Sequence, residues 1–325
     1  MTKSKNSFLE ILLFLSVCAF ACVLAFGGDF SYAVLSGINL WALVLLPSLF
    51  PYFFITAILS SMRITSKLCS RLSPLTTRLF NVNGAVGYAF FMSVISGYPV
   101  GAKCVCDLKN NNMLSDEEST RAAALCSTAS PMFMIVSVGA IMFSSRAFGT
   151  ALFLTHLLSC FSTGIIFSFY KRKSIPLTIT PPMGSEKIDN LLYESVYSAV
   201  ISVLVVGGLI TLFYLVCEIL LSFNILTPVI DAINLLIGDK NLSCGIVLGA
   251  LECTRGLKSI SASGITNLTL PVCSAICGFG GLSVIIQSLA YLKKAKIKTA
   301  PFLLSKLLSA VVNFIFGFIV QAILL

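Results

Sequence analysis

The chain has 325 residues, of which 57% are hydrophobic and 11% charged, and its formal net charge is +9. A soluble domain carries about 25% charged residues, so this composition excludes water as the main solvent around the chain. The basic residues fall in short clusters between apolar stretches (Lys171, Arg172, Lys173; Lys293, Lys294, Lys296, Lys298), a placement that suits anchoring at lipid headgroups and speaks against nucleic-acid binding.

The N-terminal MTKSKNS precedes an apolar run from Phe8 to Phe26. At about 19 residues this run is long for a signal-peptide core, and it reads as a retained first transmembrane helix. Further plain spans are expected at 32–61, 147–170, 194–221 and 301–325, the first of these bent by Pro47 and Pro51.

Two pairs of segments differ, because Gly, Pro and polar residues interrupt their apolar runs midway. The first pair is 85–109, broken at SGYPVGAK (Ser96 to Lys103), and 117–143, broken at STASP (Ser127 to Pro131). The second is 243–262, broken near ECTRGLK (Glu252 to Lys258), and 265–291, broken at CGFGG (Cys277 to Gly281). The order recurs: Pro74 stands 27 residues before Gly101 and Pro228 stands 28 before Gly256, each within a like arrangement. The expected fold is therefore all-α, a polytopic integral membrane protein with two repeats containing interrupted transmembrane helices. Its parts are an N-terminal helix (1–30), a first gate-like repeat (31–170), a polar connector (171–190) and a second gate-like repeat (191–325).

Orientation carries a conflict. Arg63, Lys67, Arg71 and Arg78, with Lys3 and Lys5, put that side of the chain in the cytoplasm. If every interrupted segment crosses fully, however, the three basic residues at 171–173 fall on the outer side.

Unpaired backbone groups inside hydrocarbon cost several kcal/mol each, so broken helices persist there only when buried in protein or lining a wet cavity. The amides at a half-helix start favour an anion or electronegative atom, and exposed carbonyls favour a cation. In the first break Gly97 and Gly101 permit an open turn, Pro99 disfavours helix at Tyr98, and Lys103 brings a charge into the next half-helix. In the second, Ser127, Thr128 and Ser130 offer hydroxyls beside Pro131. In the third, Glu252, Arg255 and Lys258 lie in an apolar segment with Gly256, and Glu252 and Arg255 are spaced to pair if the helix continues. The fourth supplies Gly278, Gly280 and Gly281, with Ser283 beyond.

Other features read as structural. Ser115 and Glu118 form a capping-box pattern after NNNML, and Arg121 is placed to pair with Glu117 or Glu118. His156, the single histidine, reads as a packing residue. Most of the twelve cysteines, Cys126, Cys160 and Cys217 among them, sit in apolar runs as small packing residues. No nucleophile elbow, phosphate loop, zinc-protease or dinucleotide motif is present. Neither enzymatic activity nor a metal or other cofactor is expected.

LPSLFPYFF, FNVNG, SGYPVGAK, SDEESTRAAAL, SPMF and Thr155–His156, then LGALECTRGLKSIS and FGGLSVIIQ, together resemble a known family. It is that of the YlbJ-type sporulation integral membrane proteins, which belong with the nucleoside-recognition or gate-domain membrane proteins. This chain departs from the family at Ala129, where Asn is usual, and at Leu157, where Tyr is common. The resemblance implies a multi-spanning bacterial plasma-membrane protein used in spore cortex formation. The expected activity is transport of a small polar or ionic solute through the lipid bilayer, with a homo-oligomer left open; the alternative is a non-transporting scaffold that recruits cortex-assembly partners.

Overall fold

The computed structural model describes residues 30–61, 64–172 and 188–324, with a few helical positions between 17 and 25. Lys3, Lys5, Arg63, most of the expected first span and most of the expected connector lie outside the described residues. Every regular element among the described residues is helical.

Among the described residues, four helices are long and apolar enough to cross a membrane. They include α8 (Arg146–Ser168), α9 (Ile188–Ser222) and α15 (Thr299–Leu324). The fourth is the nearly continuous pair α13 (Thr269–Phe279) and α14 (Gly281–Lys294). The expected span 32–61 is a bent pair, α1 (Ser31–Leu40) and α2 (Leu46–Ser61), joined by a wide π-turn at Trp41–Leu45 and angled at 59°. Pro47 and Pro51 follow the turn and cannot donate the amide hydrogen bonds a straight helix needs there. The amphipathic α3 (Ile64–Phe80) meets α4 (Gly84–Ser96) at 90°.

All four expected interruptions are present, but two of the interrupted segments do not cross. α4 and α5 (Val100–Asn110) have 13 and 11 residues, and laid end to end would separate their outer ends by about 36 Å. Instead the Asn83 side-chain amide, just before α4, donates to the Met113 carbonyl at 2.7 Å, just past α5. The pair is a hairpin that enters and returns at one end of the molecule. A second hairpin is made by α11 (Lys240–Leu251) and α12 (Cys253–Ser261). Ser259 Oγ donates to the Asn241 carbonyl at 3.2 Å and Ser263 Oγ to Asp239 at 2.7 Å, which ties its two outer ends together.

The other two interrupted segments run from one end of the molecule to the other. α6 (Asp116–Leu125) starts beside the end of α8, where Arg121 donates to the Tyr170 carbonyl at 2.9 Å and Glu117 pairs with Lys171 at 3.0 Å. α7 (Met132–Met142, wound as a π-helix) ends beside the start of α8, where the Ser145 amide donates to the Gly139 carbonyl at 2.8 Å. The expected capping box of Ser115 and Glu118 is formed at the head of α6. α13 starts against Gly317 of α15, whereas Leu292 near the end of α14 packs with Phe302, near the start of α15, and with Phe80 and Leu114.

The molecule therefore has two ends. One gathers Asn83, Met113, Lys171 and Phe302 and carries Arg78, Lys109, Lys171, Arg172, Lys293, Lys294, Lys296 and Lys298. At the other, Phe30 packs near Ile219, Arg146 opens α8, and Asp239 opens α11. The α4–α5 hairpin enters from the basic end and the α11–α12 hairpin from the opposite one. Since the first hairpin returns instead of crossing, residues 171 and 172 share an end with Arg78, and the conflict over orientation disappears.

Glycines set how closely the second hairpin packs. A Cβ on Gly256 would meet the backbone of Gly249 and Gly245, whereas one on Gly208, on the outer face of α9, would meet nothing within 4 Å. Gly256→Ala should thus lower thermal stability in detergent by about 1–3 kcal/mol through overpacking. Gly208→Ala should leave it unchanged or raise it by up to about 1 kcal/mol through helix propensity. Paired melting curves of the two variants check this contrast.

Candidate functional site

The four breaks meet in two locked pairs. In the first, Gly97 turns the chain with φ +80, and a Cβ there would sit 2.9 Å from the Ser130 amide nitrogen. Gly101 lies directly on the Cys126 carbonyl, leaving no room for a side chain. Ser93 Oγ donates to that carbonyl at 2.8 Å and lies 2.8 Å from the Thr128 hydroxyl, so the hairpin and the α6–α7 break brace each other. In the second pair, Glu252 alone is extended (φ −141, ψ 113) between α11 and α12. Gly281, with φ +77, lies so close that a Cβ would sit 2.9 Å from the Cys253 amide nitrogen.

Local chemistry explains why the chain can stop being helical at these points. The Ser130 hydroxyl accepts from the Phe133 amide at 3.2 Å and caps α7. Glu252 accepts from the Arg255 amide at 2.7 Å and caps α12. The Ala129 amide donates to His156 Nε2 at 3.0 Å, and the other ring nitrogen lies 3.3 Å from the Asn313 side-chain oxygen. His156 therefore closes the second break as a hydrogen-bonded packing residue, with its proton on Nδ1.

Between the two locked pairs lies a small buried cavity of about 50 Å³, lined by residues from all four breaks or from the helix starts next to them. One wall is polar, with Ser96, Tyr98, Ser130, Glu252, Thr254, Ser283 and Gln287; the other is apolar, with Leu45, Leu49, Phe133, Val206 and Ile210. Ser283 and Gln287, one turn apart on α14, are 0% and 6% exposed, and neither Ser283 Oγ nor Gln287 Oε1 has a hydrogen-bond partner among the described residues. A buried polar atom left unpaired costs about 1–3 kcal/mol, which a hydrogen-bonding solute or water would recover.

The sequence expectations divide here. Gly97, Tyr98, Ser130, Glu252 and Ser283 line the cavity, with Pro99, Gly101, Pro131, Gly280 and Gly281 shaping the turns around it. Ser127 lies behind it, accepting a hydrogen bond from Lys306 at 3.1 Å. Gly256 and Gly278 serve close packing, the latter against Ser309 and Asn313 of α15. The expected Glu252–Arg255 ion pair is absent, because the helix stops at Glu252 and its carboxylate is used on the Arg255 amide. The Arg255 guanidinium turns away to Glu218 at 2.5 Å and over the Tyr214 ring at 3.9 Å. Lys258 is exposed. Lys103 lines a second, larger cavity with Asp107 and Glu194.

Lys306 is a residue that the sequence reading passed over. It is 1% exposed, donates to Ser127, and lies 5.5 Å from the centre of the Tyr98 ring. Its signal was available: it is the one charged residue in the apolar stretch 301–325. Gln287 and Asn313 carried no comparable signal, since uncharged polar residues are common in such helices.

Loss of the α12 cap in Glu252→Ala should cost about 0.5–2 kcal/mol. Lys306→Met should keep or raise stability, because an apolar side chain of similar length avoids burying an ammonium with no carboxylate partner. Thermal melts in detergent check both directions.

Over 306 residues the chain is 29% identical to the sporulation integral membrane protein YlbJ of Bacillus subtilis (strain 168), an alignment that covers 86% of this chain and 75% of that protein. No family model matches the chain. No solved structure matches it.

Proposed function

We propose that this chain, which belongs with the YlbJ-type sporulation integral membrane proteins, is a transporter or permease for a small polar or ionic solute used in spore cortex formation. The observation that carries the reading is the meeting of all four helix breaks around one buried cavity with a polar wall. Scattered breaks would each have to be satisfied separately in hydrocarbon; gathered breaks share partners and leave a place where a solute can replace water.

The two halves supply one hairpin and one broken crossing helix each, and the hairpins enter from opposite ends. We read them as two gate-like repeats of inverted topology, residues 31–170 and 191–325, with the solute held where they meet. The excess of Lys and Arg at the end bearing Arg78, Lys171 and Lys294 supports a cytoplasmic side for that end, in what we read as a multi-pass plasma-membrane protein. A cavity of about 50 Å³ has room for only a few waters, each of which needs about 10–15 Å³ of such space. The described conformation is thus a closed one, and the halves must part to admit a solute.

Reconstitution into liposomes tests the proposal. Uptake of radiolabelled nucleosides, small anions or divalent cations is measured for the parent chain, for Gln287→Leu and for Gly97→Leu. Flux of one class, reduced at least tenfold in Gln287→Leu, is the expected result. Absence of flux for every class, together with normal spore cortex in cells carrying Gly97→Leu, would favour the scaffold reading and end the transport one.

A further inference from the structure

The second cavity has about 240 Å³ of free space, against about 50 Å³ in the central one, and lies between α2, α5 and α9. Its lining includes Lys103, Asp107 and Glu194 together with hydroxyls of Thr56, Ser198 and Ser202, an uncommon density of polar groups between helices of this kind. Asp107 and Glu194 are exposed, whereas Lys103 and Ser198 are partly covered, and Lys103 Nζ lies 3.5 Å from Ser198 Oγ. The carboxylates thus mark a rim and the ammonium an interior. The rim faces the basic end: Asp107 stands on the last turn of α5, which closes at the turn beside Asn83, and Glu194 stands near the start of α9.

This cavity and the central one are stacked along the same helices. Leu49 lines the central cavity and Phe53, one turn on, lines the second; Val206 and Ser202 are related in the same way on α9. One helical turn is about 5.4 Å, so the two spaces are separated by roughly one layer of side chains. That layer holds Phe53 and Val100, and it is tied by a hydrogen bond between Thr56 of the outer cavity and Ser96 of the central one.

We propose that the second cavity is the aqueous vestibule through which a small polar or ionic solute reaches the central site from the basic end, with Phe53, Val100 and the Thr56–Ser96 hydrogen bond as the closed gate between them. The assignment rests on the transport reading for its purpose, but its geometry can be tested without any solute. Lys103 takes a different role from that expected of it: it hydrates the approach and does not touch the bound solute.

The test is accessibility to a membrane-impermeant maleimide in sealed vesicles of known orientation, with peptide mass spectrometry locating each adduct. Ser198→Cys should be labelled with the basic end facing the reagent and unlabelled in vesicles of opposite orientation. Asn224→Cys, exposed past the end of α9, should show the reverse and serves as the folding and sidedness control. Leu49→Cys should be protected in both orientations and become labelled from the basic end, at least tenfold faster, when combined with Phe53→Ala. If that variant fails to fold, as judged by the Asn224 control, Thr56→Val replaces it. Labelling of Ser198→Cys from the opposite end, or none where Glu194→Cys is labelled, would overturn the vestibule. Protection of Leu49→Cys in both gate variants would overturn the gate. Vesicles that label as expected yet show no flux would fault the transport reading alone, and flux without Ser198→Cys labelling would fault the vestibule alone.

Discussion

Main-chain hydrogen bonding is the constraint on which this molecule turns. Where a helix stops inside an apolar environment its amides and carbonyls have no water to turn to, and each must find a partner within the protein. Here the partners come from an adjoining stopped helix, from an unbroken crossing helix and from the broken helix's own cap. The Cys126 carbonyl, freed at the end of α6, takes the Ser93 hydroxyl of the neighbouring hairpin; the Ala129 amide takes His156; the Arg255 amide takes Glu252. The first two breaks depend on each other directly, since Ser93 of the α4–α5 hairpin serves both the Cys126 carbonyl and the Thr128 amide of the α6–α7 break. That mutual dependence holds polar main chain at the centre, and the cavity is what remains between the two locked pairs.

Much of this was legible in the sequence. Each break coincides with a cluster of Gly, Pro, Ser or Glu in an otherwise apolar run, because few other residue types can leave a helix there without a clash or a lost hydrogen bond. What a linear pattern could not say is whether a broken segment crosses or returns. Length does not discriminate: the 85–109 run is long enough to span, and its return shows only in space, in the bond from Asn83 to Met113 and the packing of Val86 and Ala89 with Val105 and Leu108. The second hairpin was equally opaque, its return depending on Gly245, Gly249 and Gly256 meeting across the pair. The misplaced orientation of residues 171–173 was the one sequence-level sign of the error, and it was correct.

The candidate site was legible in the same uneven way. Turn-forming residues were found because they act locally. Charged residues were found as residues, but their partners were misjudged, since a side chain that caps its own helix, as Glu252 does, is no longer free to pair with a guanidinium three residues on. Lys306 was hidden for the opposite reason. It sits in an apolar span outside every break, and its partners, Ser127 and the Tyr98 ring, lie in the first half of the chain, Ser127 being 179 residues away.

That contact bears on how the two halves are joined. α15 follows the breaks of the second half, yet Lys306 and Asn313 on it brace the break of the first, through Ser127 and His156. In the reverse direction Tyr98, from the first hairpin, brings its hydroxyl to 4.0 Å from the Cys253 sulfur at the second. Neither half therefore owns the central cavity. An ammonium buried without a carboxylate depends on every oxygen and ring face around it, so any parting of the halves that opens the cavity must also change the surroundings of Lys306. This gives a physical account of an expensive lysine in an otherwise apolar helix: its ammonium is held by Ser127 and the Tyr98 ring of the first half, and so ties the two halves together.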